Sequence, residues 1–451
     1  MLLRARIGRI LATTALTFLA AFATGAPAKA AEKAIWGPTT LPNGSSAFGL
    51  YDQLGVDTLQ LTVSWAAVAP TRPGAPSDRN DPAYRWPPEI AAAANEAARH
   101  GIRIALLVAG TPAWANGGRS SIWAPDDPRD FANFLTAAAR RYPNVRRWMI
   151  WGEPNKAERF QPNEVNDPIG PRAYAPLLDA AYAALKGVSS RNNVIGGMTW
   201  TGDTVRPPDF VRWMRLPNGR PPRLDWFGHN PFPFRFPNLR NAPLSGGFRD
   251  ISDLDTLGRE VNEAYGRSPR NPVPLWLSEY TIQSERGSDV FATFVSAQEQ
   301  ARYVTAGFDL ADDLGERVAG IGWLSLLDEP VAAGSANWGV LTYALRRKEA
   351  FRALYRAPSQ RHRPLVRVPR RLSRARFARR GLPVRITPKS NGRLTIELRR
   401  KGQLLEPFFR RGVLGKRRKL RVRRPGAKRG AYSLRVRSPR GSTVILNFRV
   451  F

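Results

Sequence analysis

Val145-Arg146-Arg147-Trp148-Met149-Ile150-Trp151-Gly152-Glu153-Pro154-Asn155 is a short apolar run that breaks abruptly into Gly, an acid, Pro and Asn. A run of this length, bounded by turn-forming residues, reads as a buried strand handing a carboxylate to a loop. Similar apolar runs lie at Ala34–Trp36, Thr58–Trp65, Ile102–Val108, Val194–Met198, Leu224–Gly228, Val273–Leu277 and Val318–Leu324. Helical stretches separate most of them: Pro88–His100, Pro128–Arg141, Arg172–Lys186, Ile251–Tyr265 and Ala297–Leu314, with Arg346–Tyr355 after the last. Strands alternating with helices give an α/β fold with a parallel sheet. Eight such units predict a closed (β/α)8 TIM barrel. An open doubly wound sheet is the alternative, but no Gly-rich phosphate loop follows any strand.

Charge divides the chain. Residues 361–451 hold 30 Lys and Arg against two acids, Glu397 and Glu406, while the preceding part is nearly neutral once its basic start is set aside. In the tail, Leu394, Ile396 and Leu398 alternate with Thr395, Glu397 and Arg399. Val444, Leu446, Phe448 and Val450 alternate in the same way with polar neighbours. Period-two alternation predicts a small, highly basic β-sandwich-like domain over 361–451, attached to a barrel domain over 31–360.

The first 30 residues read as a secretory signal. Arg4, Arg6 and Arg9 precede an apolar run from Ile10 to Ala23, and Ala28-Lys29-Ala30 is a small-x-small cleavage site. The expected location is therefore secreted or cell-surface associated, with no membrane span left after cleavage. The other reading, an uncleaved anchor, needs a longer apolar run. The chain has no Cys and only three His, so disulfides, thiolate chemistry and a histidine-rich zinc site are not expected, and neither is any cofactor.

In a barrel of this kind the chemistry sits where strands end at the C-terminal face. The fourth run delivers Glu153, the seventh Glu279 in Leu277-Ser278-Glu279-Tyr280, the sixth His229-Asn230-Pro231, and the eighth carries Trp323 and ends at Asp328-Glu329. Two strand-end carboxylates suit cleavage of a glycosidic bond, which needs one protonated and one ionised group. Asp328 and Glu329 are a weaker pair, since neighbours on an extended chain point to opposite faces.

These motifs resemble clan A of the retaining glycoside hydrolases, most nearly families 39 and 5, which hold β-xylosidases and cellulase-like enzymes. The resemblance spans about residues 34 to 355. It implies Glu153 as acid/base and Glu279 as nucleophile. It also implies His229 near the nucleophile and Trp323 as the floor of the sugar site; Asn155, which could stand in for the clan's missing Asn, Trp65 and Tyr280 complete the expected substrate-binding set. Two positions depart from the clan pattern: Gly152 stands where Asn usually precedes the acid/base, and Gln60 where an Arg usually supports the nucleophile. The expected function is hydrolysis of a β-linked oligo- or polysaccharide. The alternative these departures raise is a catalytically decayed barrel that binds polysaccharide at the cell surface. The basic tail is expected to meet an anionic cell-wall polymer, and export argues against nucleic acid.

Overall fold

The protein is described from a computed structural model covering residues 31–285, 293–330 and 334–451. The expected signal segment lies outside the described residues. Eight parallel strands close into a barrel: β1 (Glu32–Trp36), β2 (Thr58–Ser64), β3 (Arg103–Ala109), β4 (Arg147–Ile150), β5 (Asn193–Trp200), β6 (Trp226–Asn230), β7 (Leu275–Tyr280) and β8 (Val318–Leu324). Each pairs with its neighbours in chain order, and β8 closes on β1. All eight apolar runs of the sequence are barrel strands.

Two of the expected helices have the expected bounds, Pro128–Arg141 and Ala297–Leu314. The first begins on an Asp127 cap with Pro at its first position. The second begins on a Ser296/Glu299 capping box. The stretch expected as one helix from Ile251 is a 3-10 turn, Ile251–Asp253, followed by an α-helix, Leu254–Ala264. A reciprocal Asp250/Asp253 capping box governs that turn. Phe48–Leu54 and Pro207–Trp213 are further helices that the hydrophobic pattern did not mark.

The barrel lumen is filled from the bottom. Glu32 accepts from Thr58 Oγ1 (2.6 Å) and Arg147 Nε (2.8 Å), with Arg103 at 3.4 Å. Arg147 lies over the Trp226 ring, which stacks on Trp276 at 5.5 Å. Above these indoles come Gln60, Met149, Ile195 and Met198. The lumen is therefore a packed core, and only its upper rim is open to chemistry.

The basic tail forms two sheets over one core. Leu365–Arg367, Leu382–Thr387 and Arg418–Val422 make the smaller one. The larger has Arg371–Leu372, Thr443–Val450, Gly430–Arg437, Gly392–Arg400 and Gln403–Gly412, in that order across the sheet. Pairing is antiparallel except where Arg371–Leu372 runs parallel to Thr443–Val450. Leu394, Ile396 and Leu398 are buried, as their alternation predicts, and Val384 and Ile386 of the smaller sheet share their core. Arg437 meets Asp309 (3.0 Å) and Arg435 meets Asp313 (2.9 Å), tying the larger sheet to the helix Ala297–Leu314. No helix among the described residues is long and apolar enough to cross a membrane.

Candidate active site

The end of β4 is bent to present Glu153. Trp151 (φ 66°) and Glu153 (φ 51°) both lie in the left-handed region, which costs non-glycine residues of order 1–3 kcal/mol each. Three bonds hold the bend. Trp151 N–H donates to Val108 O (2.9 Å), Trp151 Nε1 to Arg159 O (2.8 Å), and Glu153 N–H to Met198 O on β5 (3.0 Å). The Glu153 carboxylate is engaged at both oxygens. Asn230 Nδ2, from the end of β6, donates to Oε1 (3.0 Å). Lys156 Nζ stands 3.4 Å from Oε2. Lys156 also lies 3.1 Å from Glu158 Oε1 and 4.8 Å above the Trp200 ring. Burial opposes charge on Lys156, but Glu153 and Glu158 outweigh it and hold the ammonium above its ordinary range.

Glu279 is presented by an irregularity in β7. Between Ile321↔Leu277 and Trp323↔Tyr280, β7 spends one residue more than β8. Such a bulge re-aims side chains. Ser278 Oγ approaches Met149 in the lumen, Glu279 turns into the mouth, and Tyr280 packs outward against Gly307. Ser278 O is fixed from below by Trp36 Nε1 (3.0 Å) and Gln60 Nε2 (2.8 Å). Among the described residues none donates a hydrogen bond to the Glu279 carboxylate. Burial, and then the facing charge of Glu153, push its pKa up to about 8, against the pull of Arg159 and Lys156.

Both carboxylates border one cavity of about 440 Å³ at the C-terminal mouth, walled by Trp36, Ile122, Trp151 and Leu324 and edged by Glu158 and Arg159. Among the described residues no group of three or more potential ligands is placed to hold a metal.

No family model matches this chain, and no curated protein sequence does. Solved structures do. A family 39 glycoside hydrolase from the gut symbiont Bacteroides cellulosilyticus WH2 superposes with a TM-score of 0.54 at 14% identity, over 87% of this chain and 81% of that one. A monomeric β-xylosidase from Caulobacter crescentus CB15 gives 0.51 at 14% identity, over 93% and 96% of the two chains. The GH39 enzyme from Xanthomonas axonopodis pv. citri gives 0.51 at 13%, over 95% and 96%. The chain has the fold of the family 39 glycoside hydrolases.

On this family 39 fold, the five side chains expected to bind substrate lie elsewhere. His229 is fully buried and points out of the barrel, with Nδ1 on Thr199 Oγ1 and Nε2 on Arg249 O, both 2.9 Å. Burial depresses its pKa to about 4. Asn155 is buried and spends its amide on the end of β5, accepting from Trp200 N–H (2.8 Å) and donating to Val205 O (3.0 Å). Trp323 is buried, bonded to Trp338 O (2.9 Å) and edge-on to Tyr280. Trp65 is buried against Phe131 and Phe134 in the helical layer. The Tyr280 hydroxyl donates to Tyr303 O (2.7 Å) outside the barrel. All five support the frame and none reaches the cavity. Asp328 and Glu329 are local anchors as well. The first holds Lys348 and Gly339 N–H, and the second holds Ala336 N–H.

The residues that do reach the pair were not singled out. Asn230 follows His229 directly, and one step along a strand exchanges the faces. Trp36 ends the first apolar run. Lys156 and Arg159 lie on the loop after β4, where no periodicity places them. Gln60, in the position of the usual cation, bonds the β7 backbone beneath Glu279 and gives the carboxylate no charge.

Proposed function

We propose that the chain is a secreted retaining glycoside hydrolase acting on a β-linked oligo- or polysaccharide. The observation that carries this is the convergence of Glu153 and Glu279, from the ends of β4 and β7, on one open cavity. In the first step a Glu279 oxygen bonds to the anomeric carbon. The bond from that carbon to the leaving oxygen breaks, and the oxygen takes the proton of Glu153. In the second step water attacks the same carbon, gives its proton to Glu153 and releases Glu279 as a carboxylate. Trp36, half-buried beside Glu279, offers a ring face to the sugar. The basic tail, with its own core, holds the protein near anionic cell-wall polymers by summed charge.

Hydrolysis of a panel of aryl β-glycosides tests the enzymatic reading. Turnover by the wild type, lost in Glu279→Ala and revived by added azide, supports it. One specific observation favours a second reading, a polysaccharide-binding barrel without activity: among the described residues Glu279 has no donor to hold its charge. Equal behaviour of the wild type and Glu279→Ala, with glycan binding retained, selects that reading.

A further inference from the structure

We propose that a groove on the outer wall of the barrel is a second saccharide site, which holds a segment of an acidic glycan between the catalytic face and the basic tail. The proposal concerns binding alone, so it stands or falls apart from the glycosidase reading.

The groove follows from spacing. The helix Ala297–Leu314 turns Ala301, Arg302, Ala306 and Asp309 to one side, and the helix Glu349–Arg356 faces them with Arg352, Ala353 and Arg356. Steps of three and four residues put these side chains on one face of each helix. The alanines are too short to fill the seam, and a cavity of about 920 Å³ opens there, about twice the volume of the catalytic one. Its wall runs from Gln298 to Asp309, a helical rise of about 16 Å. The upper end is Phe236, on the loop that leaves Asn230 and the catalytic face. The lower end is Arg437 of the tail sheet, bonded to Asp309.

The chemistry of the walls points to an anion that carries a ring. Arg302, Arg352 and Arg356 are exposed on the groove, and among the described residues no carboxylate pairs with them. The acids nearby do not cancel them. Asp309 is held by Arg437 at 3.0 Å, Glu349 bonds none of the three, and Glu299, one turn before Arg302, is spent on the Ser296 cap. Cations on two facing helices repel one another, and an anion between them relieves the repulsion. A guanidinium takes a carboxylate or a phosphate through two parallel hydrogen bonds. Phe236 adds an apolar surface. It is 42% exposed, braced edge-on by Tyr303 at 5.1 Å, with Arg302 5.4 Å from its centroid. An open aromatic ring beside such forks suits a sugar that bears an acid, whereas a bare polyanion makes no use of it.

Titration calorimetry of the full chain with a short oligogalacturonide, a neutral xylo-oligosaccharide and inorganic polyphosphate tests this. The oligogalacturonide should bind at one saturable site and the neutral sugar should not. An exposed ion pair alone shifts affinity about fivefold at most, so the three arginines are changed together. Arg302→Ala/Arg352→Ala/Arg356→Ala should weaken oligogalacturonide binding tenfold or more. Lys416→Ala/Arg417→Ala/Lys419→Ala removes the same charge from exposed positions of the tail and should weaken it less than twofold. Ala353→Trp fills the groove and keeps every charge, and should also weaken binding tenfold or more. Thr305→Trp does the same from an exposed position on the facing helix, and carries the test if Ala353→Trp does not fold. Phe236→Ala should weaken the oligogalacturonide and leave polyphosphate binding unchanged. Equal losses in the groove and tail triple variants, full binding in the filled groove, or a parallel loss of polyphosphate in Phe236→Ala would each overturn the proposal in favour of summed charge. Groove binding by a chain that hydrolyses no glycoside would sink the glycosidase reading and leave this site standing, and hydrolysis by a chain whose groove binds nothing would do the reverse.

Discussion

Replacing Glu279 with Gln should make the protein more stable, by an amount that grows as pH rises from about 5 to about 8. In the unfolded chain this carboxyl ionises near 4.5, whereas in the fold burial and Glu153 raise its pKa to about 8. Between those values the unfolded state gains from ionisation and the folded state does not, so wild-type stability falls as pH rises through the window and levels off above it. Each pH unit is worth about 1.4 kcal/mol, which sets a ceiling of about 5 kcal/mol for a carboxyl fully cut off from water. Glu279 is half-buried and borders an open cavity, so water screens it, and about 2–3 kcal/mol is the expected penalty. Gln has the shape of the neutral acid and cannot ionise. Urea unfolding at pH 5 and pH 8.5 reads both numbers. Glu279→Gln should match the wild type within about 1 kcal/mol at the lower pH and exceed it by about 2–3 kcal/mol at the higher one. A gain of equal size at both pH values, or no gain at pH 8.5, would show that the site does not hold a proton on Glu279, and the electrostatic account of the pair would fall.

Trp36, which borders the cavity, and Trp323, which does not, should separate cleanly. Trp323→Ala should cost about 3–5 kcal/mol of stability while leaving KM for an aryl glycoside within about twofold, since its indole is buried in the frame; a large rise in KM with little loss of stability would restore it as the sugar floor. Trp36→Ala should do the opposite, lowering kcat/KM tenfold or more. Binding of the full chain to an immobilised anionic polymer should weaken steeply with salt and vanish near roughly 1 M, where screening is nearly complete; retention there would mean that the tail recognises its partner by shape or by uncharged contacts.

The barrel was legible because a parallel strand buried on both faces leaves a continuous apolar run, and eight such runs separated by helices leave little choice of topology. Helix ends were legible where a cap stood in the sequence, as at Asp127 and Ser296. They were missed where a 3-10 turn with its own Asp250/Asp253 box interrupted the pattern. The tail core followed from its alternation for the same reason, since Leu394, Ile396 and Leu398 cannot all face water.

The site was legible only at its two acids, and the reason is phase. A strand alternates its faces every residue, so naming the site from neighbours along the chain is right or wrong as a block. At β6 the wrong phase selects His229, which faces Arg249 and the helical layer, and passes over Asn230, which holds Glu153. At β5 the phase is shifted by an extra residue beside β6, around Gly197 (φ 87°) and Met198 (φ 45°). This shift carries Met198 O to the Glu153 amide. At β7 a second extra residue lets Ser278 and Glu279 both face inward and sends Tyr280 out. Neither shift leaves a mark in hydrophobicity, because an apolar run stays apolar whichever way it is bulged. The cation is a stronger case of the same limit. The usual Arg would rise from β2 beneath the nucleophile, and Gln60 stands there instead, tied to the β7 backbone. Positive charge enters this site from above, on the loop that follows Glu153, so it falls first on the acid and only weakly on the nucleophile.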